Sequence, residues 1–184
     1  LVNPGDPCKD AIIQKLELVT VDPTTGEATA VSPQPQVSLQ AIAYDPVSDT
    51  LYGVGGPLYI IDTNTGVVST GATIKDSGGN SVRFSGAAFD TCGTLFGLEL
   101  VNTTAGVARL FTIDTTSGSA TLVGGIANPG LTGSIAFAPD GTLVGNATAI
   151  GALFDIDPVT AAVSNARGNG LVQGLGFVTD SPGV

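Results

Sequence analysis

Four segments of the chain alternate large apolar and tolerant positions and then stop at an aspartate: LVTVDPTTG, LYIIDTNTG, LFTIDTTSG and LFDIDPVTA. Three residues before the aspartate stand Val19, Tyr59, Phe111 and Phe154, and one residue before it stand Val21, Ile61, Ile113 and Ile156. Thr20, Ile60, Thr112 and Asp155 fill the position between them. Large apolar residues two apart predict a strand with one buried face, the middle position being a tolerant surface one. The aspartates, Asp22, Asp62, Asp114 and Asp157, are expected to cap the following turn by accepting hydrogen bonds from its amides. Gly26, Gly66 and Gly118 supply the positive φ such a turn needs, and Ala161 stands where the fourth glycine is expected.

A second pattern keeps the same beat. It reads AIAYDPVSDTLYGV, GAAFDTCGTLFGL and SIAFAPDGTLVGN, with a truncated copy in QGLGFVTD, and its rings are Tyr44, Phe89, Phe137 and Phe177. The aspartates are 40, 52 and 43 residues apart and the rings 45, 48 and 40. Periods of roughly 40–50 residues belong to the blades of radial β-sheet arrays. Each unit therefore predicts four antiparallel strands: a small-residue strand of AIAYD type, then TLYGV, LYIID and GVVST types. The first strand, rich in Ala and Gly, suits a crowded axis, with its one ring wedged between adjacent sheets.

The expected fold is all-β: a four-bladed β-propeller of antiparallel four-stranded sheets, or a three-and-a-half-bladed one with a split blade. One domain spans 1–184, with an N-terminal extension at 1–14 and blades near 38–72, 85–124 and 133–168. The split blade draws on 15–31 and 173–179. Over about Lys15 to Asp180 the chain resembles secreted bacterial propeller-like repeats with LYxIDxxTG and GLAFDPxGTLYG signatures, distant relatives of the NHL and lactonase-type propellers. Two copies depart from the pattern, with Ala138 and Val178 where Asp45 and Asp90 stand in the others. The resemblance implies an exported surface or matrix protein, and it says little of activity, because such folds host many functions.

Composition narrows the classes. Sixteen acidic against six basic residues give a net charge of −10, which repels phosphate backbones and disfavours nucleic acid as a partner. No apolar run is long enough to predict a membrane-spanning helix. The chain opens on Leu1, so removal of a signal peptide is expected, and the protein is expected to be extracellular or at the cell surface. Cys8 and Cys92 are the two cysteines. An exported chain predicts a disulfide between them, the alternative being a bond to a neighbouring subunit, and closing a loop of that length stabilises by about 4–5 kcal/mol on chain entropy. Asn102 (NTT) and Asn146 (NAT) are candidate glycosylation sequons.

The search for chemistry is largely negative. The chain has no histidine, hence no imidazole base or triad. No phosphate-binding glycine loop has the required strand–helix context. Calcium loops want several oxygen side chains at alternate positions, and DTNTG or DTTSG offers one acid each. The sequence thus predicts no cofactor and no metal, and reads as non-enzymatic. Two departures from the repeat are candidate interaction surface: the elongated hairpin LELVNTTAGVARL, with Glu99 and Arg109, and the polar linker TGATIKDSGGNSVRFSG, with Lys75, Asp76 and Arg83.

Three readings follow. The first is a structural extracellular protein, a filament or matrix subunit that assembles with copies of itself through its chain-end strands, since open sheet edges are templates for pairing. The second is a monomeric binding module for glycan or protein. The third is a propeller hydrolase or lactonase, which would need a metal ring and a base that this sequence does not offer.

Overall fold

The computed structural model describes residues 18–31, 37–102, 107–127, 133–147 and 151–168. Among these every regular element is a strand. The fold separates into two units: one holds the described residues up to Ser38 together with Asp62–Val68, the other Leu39–Ile61 and the described residues from Ser69 onward.

The first unit contains one hairpin, β1 (Val19–Val21) and β2 (Ala28–Ala30), paired antiparallel with Thr20 opposite Thr29. Val19 and Val21 are 41% and 58% exposed. Their alternation predicted burial, and the structure corrects it: a two-stranded hairpin has no second layer of its own to bury a face against.

Three larger sheets follow. Sheet one runs β3 (Ala41–Asp45), β4 (Thr50–Val54), β5 (Pro57–Ile61) and β6 (Val68–Thr73), in that spatial order. Sheet two joins a short β7 (Lys75–Asp76) to β8 (Phe84–Phe89), β9 (Leu95–Asn102), β10 (Val107–Ile113) and β11 (Ser119–Ala127). Its order is β7-β11-β10-β9-β8, with β7 parallel to β11 at the outer edge. Sheet three is β12 (Ile135–Phe137), β13 (Leu143–Ala147), β14 (Ala152–Ile156) and β15 (Val163–Gly168). Apart from β7, each is a meander of four strands in which consecutive strands pair, and no sheet closes on itself. The chain is all-β with repeated antiparallel four-stranded sheets. The segment expected to add a further first strand, 173–179, lies outside the described residues.

Within the second unit β3 packs beside β8, and β8 beside β12. The small residues of these strands allow it: a Cβ on Gly86 would stand 2.8–3.0 Å from backbone atoms of Gly133, Ser134 and Ile135. Cross-strand partners share a face, which defines two faces for each sheet. The back face of sheet two carries Ala87, Phe89, Leu95, Phe111 and Ile113. It is buried against the forward face of sheet one, Ala43, Val54 and Leu58. The forward face of sheet two, with Ala88, Phe96, Leu98 and Leu110, is buried with Ile135, Leu143 and Ile156 on the back of sheet three.

One ring pair marks each of these interfaces. Phe89 meets Tyr52 of sheet one with centroids 5.3 Å apart, and Phe137 meets Phe96 of sheet two edge-on at 5.4 Å. Such separations are those of attractive aromatic pairs. Tyr44, the first ring of the series, was expected to wedge between sheets as well. It is instead 51% exposed, its hydroxyl donating to Asp49 Oδ1 at 2.7 Å. The linker into sheet two also differs from the polar loop the sequence suggested. Ile74, Val82 and Phe84 are buried in the core between sheets one and two, so its apolar residues point inward while Lys75 and Arg83 stay exposed.

Candidate interaction surface

The four repeated aspartates occupy one geometry. Asp22 Oδ1 accepts from the amides of Thr24 and Thr25 at 2.7 and 3.2 Å, and Asp62 Oδ1 from Asn64 and Thr65 at 2.8 and 2.9 Å. Asp114 accepts from Thr116 and Ser117 at 2.9 and 2.7 Å, and Asp157 from Val159 and Thr160 at 2.8 and 3.0 Å. Behind each, the aspartate carbonyl takes the amide four residues on, at 2.8 Å in all four copies. These amide bonds hold the four carboxyls below the ordinary carboxylate range. Gly26, Gly66 and Gly118 sit at φ 73°, 69° and 75°, and Ala161 adopts φ 60° in the same place. The Ala161 methyl is buried in the core between sheets two and three, and a Cβ on Gly124 would stand 3.0 Å from it.

The turns between first and second strands are built likewise. Asp45, 8% exposed, accepts from the Val47 amide at 2.9 Å and the Ser48 hydroxyl at 2.7 Å. Asp90 accepts from the amides of Cys92 and Thr94. Where Ala138 replaces this aspartate, Asp140 takes over and accepts from Thr142 at 2.9 Å. The sequence shows that substitution directly, two residues along.

Glu99 and Arg109 are opposite each other on β9 and β10. Their side chains form an ion pair, the guanidinium reaching Glu99 Oε2 at 2.6 and 2.7 Å and lying 5.4 Å above the Phe111 ring centroid. The pair neutralises the charges expected to face a partner. Asp76 accepts from the Gly78 and Asn80 amides and caps its own turn. Those bonds hold its carboxyl low, helped by nearby Arg109. Lys75 and Arg83 are the exposed cations of this region.

A second ion pair was not legible. Asp155, expected to be a tolerant surface position, meets Arg167 at 2.7 Å and accepts from the Asn165 amide group at 2.7 Å. Arg167 holds its carboxyl low. Asn165, on β15 beside it, takes a left-handed φ of 50°.

Asn146 is 1% exposed and accepts the Ser134 amide at 2.7 Å. The asparagine of NAT is thus enclosed in this fold and not presented at its surface. Asn102 ends β9, and its side chain lies outside the described residues. Cys92 is exposed and makes no disulfide among the described residues; its expected partner, Cys8, lies outside them.

Among the described residues no group of acidic or cysteine side chains is placed to hold a metal. One shallow, open cavity of about 470 Å³ lies over the Asp114 turn, lined by Thr94, Thr112, Asp114, Thr116, Ser119 and Thr121. A counterpart of about 380 Å³, lined by Thr20, Val21, Asp22, Glu27 and Thr29, occupies the same place on the β1–β2 hairpin.

The model of one protein family, described as a repeat of unknown function (DUF6923), matches residues 12–178. No curated protein matches the chain. Among solved structures, virginiamycin B lyase from Staphylococcus aureus aligns at TM-score 0.51 and 13% identity, over 88% of this chain and 53% of that one. A protein of unknown function from Bacteroides caccae aligns at 0.48 and 8% identity, over 88% and 58%. The Malassezia sympodialis allergen Mala s 1 aligns at 0.44 and 19%, over 70% and 40%. At these identities the likeness to the lyase concerns the propeller-like fold alone. The chain spans roughly half the length of these structures.

Proposed function

The chain belongs to the DUF6923 repeat family, and from that premise we propose that it is a non-enzymatic, extracellular structural protein, a self-assembling subunit of a surface filament or matrix. In this reading the repeats are propeller blades, and a blade split between the two chain ends is completed in the assembly. Each subunit's partner is another copy of itself, met through chain-end strands, with neither nucleic acid nor a membrane interior involved.

One observation carries the reading. The carboxylates that recur in every repeat are spent on their own turn amides, and the half-buried Glu99 and Asp155 are paired with arginines. The polar groups of the repeat thus serve its own geometry, while large apolar side chains, Ile42 and Tyr44 among them, stay open to solvent. Size-exclusion chromatography with negative-stain microscopy tests the proposal: concentration-dependent polymers are expected, and removing 174–184 should abolish them while the three sheets stay folded. A strictly monomeric protein at high concentration overturns it. The proposal includes an oxidised Cys8–Cys92 pair, which mass spectrometry with and without reductant decides; two free thiols in native material would rule the bridge out.

A second reading has one observation in its favour. The hydroxyl-lined cavities recur at equivalent positions over the Asp22 and Asp114 turns, as a monomeric glycan-binding module would require. Glycan-array binding lost on Thr112→Val would support it over assembly.

A further inference from the structure

Two of the aspartate turns are seated on the last strand of the sheet before them. In sheet two the positive-φ residue of the turn is Gly118, and a Cβ there would collide with the Thr73 carbonyl and stand 3.1 Å from the Ala72 methyl of β6. In sheet three that residue is Ala161, and its turn lies against β11. A Cβ on Gly124 would stand 3.0 Å from the Ala161 methyl and 2.9 Å from the Thr160 carbonyl. The receiving residues, Ala72 and Gly124, are small, as so close an approach of two backbones requires.

One turn and one strand of the same kinds stand open. The Asp22 turn has the same capping bonds and a left-handed glycine, yet a Cβ on Gly26 would meet nothing within 4 Å and residues 19–30 are all exposed. β15 is the last strand of sheet three, as β6 and β11 are of theirs, and residues 164–168 are exposed along it. Each departs from the repeat at the matching place, and the two departures carry opposite charge. The residue after the positive-φ position is Val67, Ser119 or Ala162 in the other turns and Glu27 in this one. Gly124 faces Leu110 of β10, and the residue facing the equivalent Leu153 of β14 is Arg167. The Arg167 side chain is 46% exposed. Asp155 and the Asn165 carbonyl take two of its nitrogens, and a guanidinium with five N–H donors keeps others for a second carboxylate.

We propose that the Asp22 turn of one copy seats on β15 of a second copy, with Glu27 pairing to Arg167. The occupant is a copy of this chain because the hairpin carries, unseated, the kind of turn that β6 and β11 receive, and its added acid is the charge that Arg167 attracts. Arginine holds the turn further off than Gly124 does, so the ion pair replaces the close backbone approach found inside the molecule. Turn and strand lie far apart along the chain, so the contact is heterologous and propagates rather than ending in a closed pair. This rests on the structural-assembly reading and names its two surfaces.

The test uses the full chain. Sedimentation equilibrium compares wild type with Glu27→Lys and with Arg167→Ser, and circular dichroism and thermal melting check that each variant keeps its sheets. Self-association of Glu27→Lys should weaken about tenfold or more, because a like charge then stands where an opposite one was. Each variant alone should associate poorly, yet an equal mixture should form one-to-one pairs, one chain lending its β15 and the other its turn. Folded variants that fail to pair on mixing overturn the proposal. Because Arg167→Ser could itself misfold by leaving Asp155 unpaired, a photo-crosslinking residue at position 24 is used in parallel on an equal mixture of ¹⁴N and ¹⁵N protein. Mixed-isotope crosslinks to β15 are the expected result. Crosslinks confined to single-isotope chains overturn the proposal, since the turn is then seated on its own chain. Association unchanged in Glu27→Lys overturns this inference and leaves the assembly reading standing. Wild type that never associates sinks both.

Discussion

The β1–β2 hairpin and the β10–β11 hairpin are built on the same sequence pattern and share their hydrogen bonds and turn geometry, and they differ in burial. Thr20 faces Thr29 in one and Thr112 faces Thr121 in the other. Asp22 and Asp114 cap their turns through the same two amides, and Gly26 and Gly118 take the same left-handed φ. Yet Val19 and Val21 are exposed, while Phe111 and Ile113 are 2% and 4% exposed inside the core between sheets one and two. The turn is a local device that forms wherever its residues stand. Burial belongs to the neighbouring sheet, and an alternating pattern promises only that a face is ready to be covered.

The contrast is easiest to break at its apolar positions. Phe111→Ala should destabilise by about 3–5 kcal/mol in denaturant unfolding, the cost of a large buried ring lost from a core. Val21→Ala should cost under about 1 kcal/mol. Comparable losses at both would mean that the first hairpin is covered in solution.

Gly118→Ala comes next. The φ is left-handed, and a methyl there would collide with the Thr73 carbonyl. We expect about 2–4 kcal/mol lost, whereas Gly26→Ala, at the same φ but in open space, should lose about 1 kcal/mol from backbone strain alone. Thermal melts of the two variants check this.

Acid should treat both regions alike. Amides donating to Asp22 and Asp114 favour the charged form, so both titrate below the ordinary value of about 3.9. The stability they contribute is fully present above that value and is lost as the pH falls through the lower folded-state one. Carbon-detected NMR titration should give depressed midpoints at both; a normal midpoint at Asp22 alone would show that its turn depends on a neighbour after all.

The smallest effect is expected at Ala161→Gly. Glycine relieves the strain of φ 60° by about 1 kcal/mol, and it removes a buried methyl worth about 0.8 kcal/mol. The melting temperature should hardly move.

The strands and turns were legible because they depend on neighbours in sequence: TLYGV, LYIID and the Asp–Gly spacing name their own geometry. What sequence order could not supply was partnership across sheets. Tyr44 reads like Phe89, and only the stacking of sheets shows that one ring is covered and the other open. Ile74 and Val82 stand eight residues apart in a polar stretch, a faint signal that the linker seals a core. Asp155 and Arg167 meet only because β14 and β15 pair with a register shift between Leu153 and Asp155, which no pattern of residue types announces. At the candidate surface, the charges on Glu99 and Arg109 were visible, but their mutual neutralisation follows from strand register alone.

The side-by-side packing of β3, β8 and β12 has a kinetic consequence. Apart from the parallel β7–β11 contact, the pairings of each sheet close short loops, so its hydrogen bonds can form early and quickly. Between the described sheets the main strand contacts, β3 with β8 and β8 with β12, join successive meanders, the arrangement in which folding spreads from one formed element to the next. Sheet two is buried on both faces by its neighbours, so its amides should exchange most slowly of all. Unfolding should begin elsewhere and reach β8 last.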